Sequence, residues 1–287
     1  MCTRPFGAES ATPPRVALAS SFSDPCYSFA TVRGRRRTMD SAAWIWPVLL
    51  APIIGSFLGA LVTRVEAPAS LMLGRSRCDS CGATLAALEL VPIISWLALR
   101  GRCRSCATPI GLFYPALELT AVIVAVWAAT VFSDGMLWVS CALGWTLLAL
   151  AVIDYKYFLL PDFLTLPLIP FGLIVTWAND PSALLDHVIG VAVGFGFIVL
   201  LREAYRRVRG REGMGLGDAK LLAASGAFVS WQALPSVVFI ASVTALAVAL
   251  FHTLRGANIS LVDRMPFGTF LCFATWIVWL YGPLMLG

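Results

Sequence analysis

Long apolar segments, separated by short charged ones, run through this chain and restrict the folds open to it. Of its 287 residues, 59% are hydrophobic and 13% are charged, whereas soluble domains are about 45–50% apolar and about 25% charged. Polar surface is therefore too scarce for a soluble enzyme, and the apolar content is too high for a disordered chain. Eight cysteines in this length are too few for a small disulfide scaffold. The sequence predicts an all-α polytopic membrane protein.

The apolar segments predict about eight transmembrane helices, since about 20 apolar residues are needed to cross about 30 Å of hydrocarbon. Several segments are short, and the sixth is the least well defined. The predicted spans are residues 42–62, 113–133, 136–153, 163–178, 184–201, 219–232, 235–254 and 267–286.

Lysine and arginine are distributed very unevenly between the predicted loops. Four loops alternate onto one face of the membrane, and they hold 15 of the 21 basic residues. The loops on the other face hold none. Because basic loops remain in the cytoplasm, we expect the basic face to be cytoplasmic. These four loops are residues 63–112, 154–162, 202–220 and 255–266.

The remaining basic residues all lie in residues 1–38, a segment rich in Pro and Ser without a long apolar run. The predicted topology places this segment outside, in conflict with its charge. We favour the interpretation that translation starts at Met39. The alternative is a real N-terminal extension, disordered by composition, and sequencing of the native N-terminus distinguishes the two.

Residues 63–112, the loop after the first span, carry two Cys-x-x-Cys pairs: Cys78 with Cys81 and Cys103 with Cys106. Four thiolates in this pattern suit a tetrahedral structural Zn²⁺. On a reducing face, two disulfides are the weaker explanation, and a redox pair is a further alternative. A site with four protein ligands has no open position, so we expect it to fold the loop rather than to catalyse a reaction.

Four acidic residues lie at or near span ends on the basic face: Asp154, Asp162, Asp218 and Glu118. Ionisable groups at such positions are costly and are functional candidates. Asp154 and Asp218 end and begin spans on the same face, so helix packing could join them. Two adjacent carboxylates share a proton, which is the basis of aspartic-protease chemistry.

Each acid also has a structural interpretation. Asp162 follows a proline at a helix start, where an acid caps free N–H groups. Asp154 could simply end its span or pair with Lys156, and Glu118 could be a salt-bridge partner. Before Asp218, Gly215 and Gly217 would let a peptide backbone approach closely, although most such glycine tetrapeptides are simple turns.

Several motifs in consecutive order resemble the type IV prepilin peptidase family, the bifunctional leader peptidase/N-methyltransferases of bacterial inner membranes. The resemblance covers nearly all of residues 48–282. It is carried by Gly55-Ser56-Phe57-Leu58, both cysteine pairs, PIISWL at 92–97, RGRC at 100–103, Tyr114-Pro115 with Glu118, Asp154 with Leu160-Pro161-Asp162, GMGLGDAK at 213–220 (ending in Lys220), and Pro266-Phe267-Gly268.

The resemblance implies that Asp154 and Asp218 are the catalytic aspartates of a core spanning residues 113–287. It implies cleavage of the basic leader of type IV prepilins and pseudopilins at the cytoplasmic face, in pilus or type II secretion systems. It also implies S-adenosylmethionine-dependent N-methylation, linked to the cysteine loop at 63–112. No nucleic-acid partner is expected. Gly59 and Leu90 depart from the family pattern, which often has Asn at both positions, and both lie in the half of the chain linked to methylation.

Two other functions compete with this interpretation. A presenilin-type intramembrane protease shares Gly-x-Gly-Asp but cuts within the bilayer and lacks a four-cysteine loop. A proton-coupled transporter would use buried carboxylates as a relay, but the sequence has no internal repeat and its acids lie at span ends.

Overall fold

The computed structural model describes residues 42–65, 78, 80–84, 92–210, 215–255 and 265–284. Within these ranges the chain is helical and contains no β-strand beyond the isolated bridge between Arg102 and Pro109. Residues 1–38 and the positions of Leu90, Gly213 and Met214 lie outside the described residues. The helices are α1 (Ile45–Thr63), α2 (Ile94–Ala98), α3 (Phe113–Val131), α4 (Asp134–Tyr157), α5 (Asp162–Asn179), α6 (Leu184–Arg209), α7 (Leu216–Val229), α8 (Leu234–Leu254) and α9 (Phe267–Tyr281).

Each predicted span coincides with one helix, which confirms the all-α polytopic fold class. Six of the described helices are long and apolar enough to cross a membrane: α1, α3, α4, α5, α6 and α8. The other two apolar helices, α7 and α9, have 14 and 15 residues. At 1.5 Å per residue they extend only about 21–23 Å. They are therefore too short to span the hydrocarbon alone, a difference that apolar composition does not reveal.

Helix α7 is apolar because it is enclosed by protein rather than by lipid. Ten of its 14 residues are buried. It packs most extensively on α6 and also contacts α5, α8 and α9. A helix that is apolar on all sides is typical of both environments, so only the packing identifies α7 as a central element of the bundle.

Glycines allow α6 and α7 to pack with their backbones in contact. A Cβ on Gly194 would lie 2.6 Å from the carbonyl oxygen of Leu222, and a Cβ on Gly190 would lie 2.6 Å from that of Gly226. These distances leave no room for a side chain. Small residues at such positions are the usual means of close helix packing in membranes. The same principle operates where α1 meets α3, since a Cβ on Gly55 would lie 2.5 Å from the Cα of Glu118.

Two helices end differently from the predicted spans. Helix α6 continues past residue 201 to Arg209, and Glu203 forms ion pairs with Arg206 and Arg207 at 2.8 Å and 2.9 Å. Such i,i+3 and i,i+4 pairs support helix outside the hydrocarbon. Helix α9 ends at Tyr281, because Gly282 adopts a positive φ of 85° and a proline follows it.

The packing brings three helix termini together. Helix α9 packs against α4, α7 and α8. The carboxyl end of α4 and the amino ends of α7 and α9 consequently lie at the same end of the bundle. This is the end at which the predicted basic loops emerge.

Candidate active site

Asp154 lies in the last turn of α4 and is held by the first turn of α9. Its Oδ2 accepts the backbone N–H of Thr269 at 2.8 Å, and the Thr269 hydroxyl lies 3.3 Å away. The backbone N–H of Gly268 also points to this carboxylate. The N–H groups of a first helical turn have no intrahelical partner and favour an anion. Asp154 is only 6% exposed, so these donors replace the water that the carboxylate has lost.

Asp218 is the third residue of α7. Its carboxylate accepts the backbone N–H of Gly215, the residue that precedes the helix. This geometry is that of a capping box, in which the side chain of the third helical residue reaches back to the N-cap. Asp218 is therefore fixed by the start of its own helix.

The two carboxyl groups interact electrostatically. The charge of Asp154 acts on Asp218, and both act on the thiol of Cys272, which lies buried on α9. Three helices thus converge on one small region. The structure brings together the two aspartates that the sequence placed on one face, 64 positions apart.

Leu160, in the connection between α4 and α5, fits between the glycines beside the two aspartates. A Cβ on Gly217 would lie 2.9 Å from the Leu160 Cβ, and a Cβ on Gly268 would lie 2.9 Å from the Leu160 Cδ1. The latter Cβ would also lie 2.9 Å from Oδ2 of Asp154. Glycine is therefore needed at both positions to let the α4–α5 connection, α7 and α9 meet.

Two carboxyl groups in this arrangement can activate a water molecule without a nucleophilic side chain. When one is ionised and the other protonated, the first accepts a proton from water and the second donates one to a carbonyl oxygen or leaving amine. Both groups lie at the end of the bundle where the carboxyl end of α4 meets the amino ends of α7 and α9.

The four predicted zinc ligands form a second cluster. The Sγ atoms of Cys78, Cys81, Cys103 and Cys106 all lie within 4.8 Å of one another, and those of Cys78 and Cys106 are 3.8 Å apart. Tetrahedral coordination with Zn–S bonds of about 2.3 Å gives sulfur–sulfur distances of about 3.8 Å. The cluster therefore has the size and donor set that a tetrathiolate zinc site requires.

The two halves of this cluster have the same backbone geometry. In the first, the N–H of Cys78 bonds to the carbonyl of Ala83, and the N–H of Gly82 bonds to that of Cys78, both at 2.9 Å. Thr108, Ala107 and Cys103 repeat both bonds at 2.9 Å in the second half. Gly82 and Ala107 occupy equivalent positions, with φ of 69° and 57°. The repeated turn points two thiols of each half at a shared centre.

The thiols differ in their readiness to lose a proton. Hydrogen bonds with the side chain and backbone of Thr108 lower the pKa of Cys106 to about 6. The backbone N–H groups of Cys81 and Ser80 lower the pKa of Cys78. The N–H of Ala83 acts in the same direction on Cys81, but the thiols of Cys106 and Cys78 raise the pKa of Cys81 to about 11. A metal ion would therefore meet thiolates and displace at least one proton.

Comparisons with known proteins agree with both regions. Residues 49–132 match the family model described as the bacterial peptidase A24 N-terminal domain, and residues 141–250 match the type IV leader peptidase family. A prepilin leader peptidase/N-methyltransferase of Aeromonas hydrophila is 42% identical over 262 residues, which cover 82% of this chain and 89% of the relative. The chain belongs to the type IV leader peptidase family.

Other members of the type IV leader peptidase family are similarly close. The prepilin leader peptidase/N-methyltransferase of Burkholderia pseudomallei strain 1026b is 39% identical, covering 78% of this chain and 81% of the relative. That of Pseudomonas aeruginosa is 34% identical, covering 82% and 89%. No solved structure matches this chain.

Asp162 and Lys220 connect two helices of this family member near the aspartates. The Nζ of Lys220, on α7, lies 2.6 Å from Oδ1 of Asp162, the first residue of α5. The N-cap of this helix is Pro161, and Asp162 is the acidic residue of its first turn. The position of Asp162 in the first turn agrees with the capping prediction, because an acid there suits the helix dipole. The prediction does not include the ion pair with Lys220. The ion pair ties the start of α5 to the helix that carries Asp218.

Glu118 lies apart from the aspartates, at the contact between α1 and α3. Its Oε2 accepts the backbone N–H of Ile93 at 2.7 Å, and it also bonds with the hydroxyl of Ser56. Sequence analysis offers two interpretations of Glu118, a site residue or a salt-bridge partner. Both partners are uncharged, which does not favour the salt-bridge interpretation. Because Ser56 lies on α1 and Ile93 in the cysteine segment, Glu118 belongs to the half of the chain that carries the cysteines.

Thr269 is a site residue that sequence analysis does not identify, and Leu160 appears there only as part of the motif Leu160-Pro161-Asp162. Thr269 supplies an N–H group and a hydroxyl to Asp154, and Leu160 fills the space between the two glycines. Pro266-Phe267-Gly268 is a usable signal, because a proline before an apolar run predicts a helix start and hence free N–H groups just after it.

Lys156 is expected from the sequence only as a partner of Asp154. In the structure its Nζ lies over the rings of Phe113 and Tyr157, at 5.3 Å and 5.0 Å from their centroids.

Proposed function

We propose that this chain removes the basic leader peptide from type IV prepilins or pseudopilins by aspartic-protease chemistry and then methylates the new N-terminus. The observation that carries the proposal is the meeting of Asp154 and Asp218 at one end of an apolar helical bundle. The family assignment supports the substrate class, since the relatives are named prepilin leader peptidase/N-methyltransferase.

The hydrogen bonds of the two aspartates assign their roles in the proposed reaction. Asp154 faces donors from the amino end of α9, and hydrogen bonds to a carboxylate favour its charged form. Asp218 has the N–H of Gly215 and faces the charge of Asp154. We therefore assign the shared proton to Asp218 and the negative charge to Asp154.

Cleavage then proceeds through a balanced set of proton transfers. Asp154 accepts a proton from water as the water oxygen attacks the scissile carbonyl carbon, and Asp218 donates its proton to the carbonyl oxygen. The tetrahedral intermediate then collapses: one of its two hydroxyl groups returns a proton to Asp218, the carbon–nitrogen bond breaks, and the proton held by Asp154 passes to the leaving amine. Both aspartates thereby return to their starting states.

The position of the site supports a substrate that enters along the membrane. The apolar helix of a pilin would stay in the bilayer while its leader reaches the end of the bundle between α4, α7 and α9. The distribution of basic residues supports a cytoplasmic location for this end, in a bacterial inner membrane. Gly215 leaves space beside Asp218 for a peptide backbone, whereas the space at Gly217 is filled by Leu160.

The cysteine cluster and the methyl donor complete the proposal. The four thiolates of Cys78, Cys81, Cys103 and Cys106 would hold a structural Zn²⁺, which would fix a segment with little apolar core of its own. S-adenosylmethionine, when bound, supplies an electrophilic methyl group. The protein must then place a neutral amine beside it.

The test is co-expression with a prepilin and mass spectrometry of the pilin N-terminus, which reports cleavage and methylation together. Wild-type protein is expected to yield a shortened pilin that is one methyl group heavier. Asp154→Asn and Asp218→Asn are each expected to leave the leader attached. Asp186→Asn is the matched control, because this aspartate lies at the opposite end of the bundle and accepts the Trp231 indole N–H at 3.2 Å. Normal processing by either dyad variant would refute the assignment.

A further inference from the structure

A cavity of about 600 Å³ lies between α1, the start of α3 and the cysteine segment. Its walls include Ser56, Glu118, Trp96 and Tyr114, together with the zinc-site cysteines Cys78 and Cys103. Pockets of about 300–1,000 Å³ with a few convergent polar groups are the usual size for a small organic ligand. The cavity contains neither of the two aspartates, so it forms a separate site.

A buried carboxylate faces this cavity. Glu118 is 5% exposed, and it lines the cavity while accepting the Ile93 N–H at 2.7 Å and bonding with Ser56. A carboxylate has about four lone-pair positions, so these two partners leave capacity for a ligand. A charge buried without an ionic partner is costly, and a cationic ligand would offset this cost.

Cationic and aromatic groups line the same cavity. Lys156, Arg64 and Arg104 supply positive charge, and the rings of Trp96, Phe113 and Tyr114 supply flat apolar walls. Trp96 is fixed by an indole N–H bond to the carbonyl of Ile110 at 3.3 Å. The ligand that suits this lining carries an anionic group, a cationic centre and an aromatic ring system.

We propose that this cavity binds S-adenosylmethionine, with Glu118 beside its sulfonium centre and Lys156 at its carboxylate. The inference rests on the proposed function, to which it adds the location of the methyl donor. The purine ring would lie against the aromatic walls, where stacking and burial stabilise it. The donor carries one carboxylate, one ammonium and one sulfonium group, so its site needs both an acid and a cation, and Glu118 and Lys156 supply them.

Glu118 also provides the proton acceptor that methyl transfer needs. An α-amino group has a pKa of about 8, so at neutral pH it is mostly ammonium and lacks a free lone pair. Glu118 takes a proton from this amine. The amine nitrogen then attacks the methyl carbon, the carbon–sulfur bond breaks, and S-adenosylhomocysteine leaves with the bonding electrons.

The two sites share the last turn of α4. Asp154 points to α9 and the dyad, whereas Lys156, two residues further along, lines the cavity. Two residues advance a helix by about 3 Å and turn it by about 200°, so the two side chains lie on nearly opposite faces. A pilin N-terminus formed at Asp154 would therefore have to move around the end of α4 to reach the methyl donor.

The zinc cluster gains a role from this arrangement. Because Cys78 and Cys103 form part of the cavity wall, the metal would hold the wall in place without touching the reacting atoms. Loss of zinc is expected to remove the methyl-donor site and to leave the dyad intact.

The test is equilibrium dialysis of radiolabelled S-adenosylmethionine and S-adenosylhomocysteine against the full-length protein in lipid nanodiscs. Glu118→Gln keeps the shape of the side chain and an oxygen that accepts the Ile93 N–H. It is expected to weaken S-adenosylmethionine binding tenfold or more while changing S-adenosylhomocysteine binding less than threefold, because only the former carries the sulfonium charge. Lys156→Met is expected to weaken both ligands by a similar factor. Glu203→Gln, a carboxylate on α6 paired with Arg206 and Arg207, should change neither.

Three outcomes would overturn the inference. Wild-type affinity for both ligands in Glu118→Gln and Lys156→Met would show that the donor binds elsewhere. An equal loss of both ligands in Glu118→Gln would show that the residue supports the cavity wall only. Displacement of the donor by inorganic phosphate at equal concentration would indicate a simple anion site. Retained leader cleavage and zinc content show that each variant is folded. Failure of the proposed function is distinct, since wild-type protein would then return an unmethylated or uncleaved pilin in the co-expression assay.

Discussion

Thr269 donates its backbone N–H to Oδ2 of Asp154 at 2.8 Å, across 115 positions of sequence. Its hydroxyl lies 3.3 Å from the same oxygen and 2.9 Å from the carbonyl of Ala151, one turn earlier on α4. The amino end of α9 therefore orients the carboxylate at the carboxyl end of α4. Thr269 is a positioning residue in the proposed reaction.

Replacing the Thr269 hydroxyl should slow leader cleavage without weakening substrate binding. Thr269→Val keeps the shape and the backbone N–H but removes the hydroxyl. One hydrogen bond contributes about 1 kcal/mol net, so we expect kcat to fall roughly 5- to 10-fold with little change in KM. Thr269→Ser should restore most of the rate. Steady-state cleavage of a purified prepilin checks both, and an unchanged kcat in Thr269→Val would contradict the positioning role.

Gly268→Ala should reduce cleavage more severely, because the new Cβ would lie 2.9 Å from both Oδ2 of Asp154 and Cδ1 of Leu160. Neither neighbour can yield without moving the carboxylate or the α4–α5 connection. We expect at least a tenfold loss of kcat in the same assay. Gly135→Ala is the control, since nothing lies within 4 Å of its Cβ position and it is at the other end of α4. Near-normal cleavage by Gly268→Ala would show that the contact is not needed.

Gly226→Ala should destabilise the bundle rather than the chemistry alone. Its Cβ would overlap the carbonyl group of Gly190 and force α6 and α7 apart. Overpacking of this kind costs about 1–3 kcal/mol of unfolding free energy, which should appear as a lower thermal midpoint in detergent. Gly196→Ala on α6, with open space around its Cβ position, should leave the midpoint nearly unchanged. Equal midpoints for the two variants would contradict the packing role.

Removal of one cysteine should separate the two proposed activities. Cys78→Ser is expected to lose bound zinc and N-methylation while leader cleavage continues, because Cys78 lines the cavity but not the dyad. Metal analysis of the purified protein and mass spectrometry of the pilin check this. Cys141→Ala, in the buried interior of α4, should keep its zinc. A Cys78→Ser protein that still methylates would refute the link between metal and methylation.

Zinc uptake should weaken as the solution becomes acidic. The hydrogen bonds with Thr108 keep the pKa of Cys106 near 6, so this thiol is ionised at neutral pH and protonated below that value. The pKa of Cys81 is about 11, so binding at neutral pH releases its proton. Protons therefore compete with zinc increasingly as pH falls through 6. Zinc titration of the metal-free protein at several pH values measures this, and a pH-independent affinity would contradict it.

Much of the fold could be predicted from the sequence because the bilayer imposes a length and a composition on each crossing segment. All eight predicted spans coincide with helices, although α6 and α9 end at residues other than those predicted. The sequence could not show that α7 and α9 are short helices within the protein. Lipid and protein interiors both select apolar side chains, so composition does not distinguish them.

The candidate site, like the fold, could be predicted from the sequence only in part. Motif spacing predicted the four-cysteine cluster. Each short turn supplies two ligands from residues close in sequence, and a metal site depends on few other contacts. The sequence identifies Asp154 and Asp218 as candidate catalytic residues, because charge is scarce and both lie at span ends on one face. The resemblance of the surrounding motifs to a known family makes the assignment of these two residues as the catalytic aspartates specific.

Only the tertiary structure decided which groups surround those residues. Leu160 between Gly217 and Gly268, the bonds from Thr269, and the cavity at Glu118 all join residues that are distant in sequence. Such contacts depend on how the helices pack, and the pattern of apolar residues along a membrane helix says little about which side faces a neighbour. The sequence by itself determined the helices and the chemical groups available. The packing decided which of those groups meet, because close contact between helices depends on shape and on the glycines that permit it, rather than on hydrophobicity.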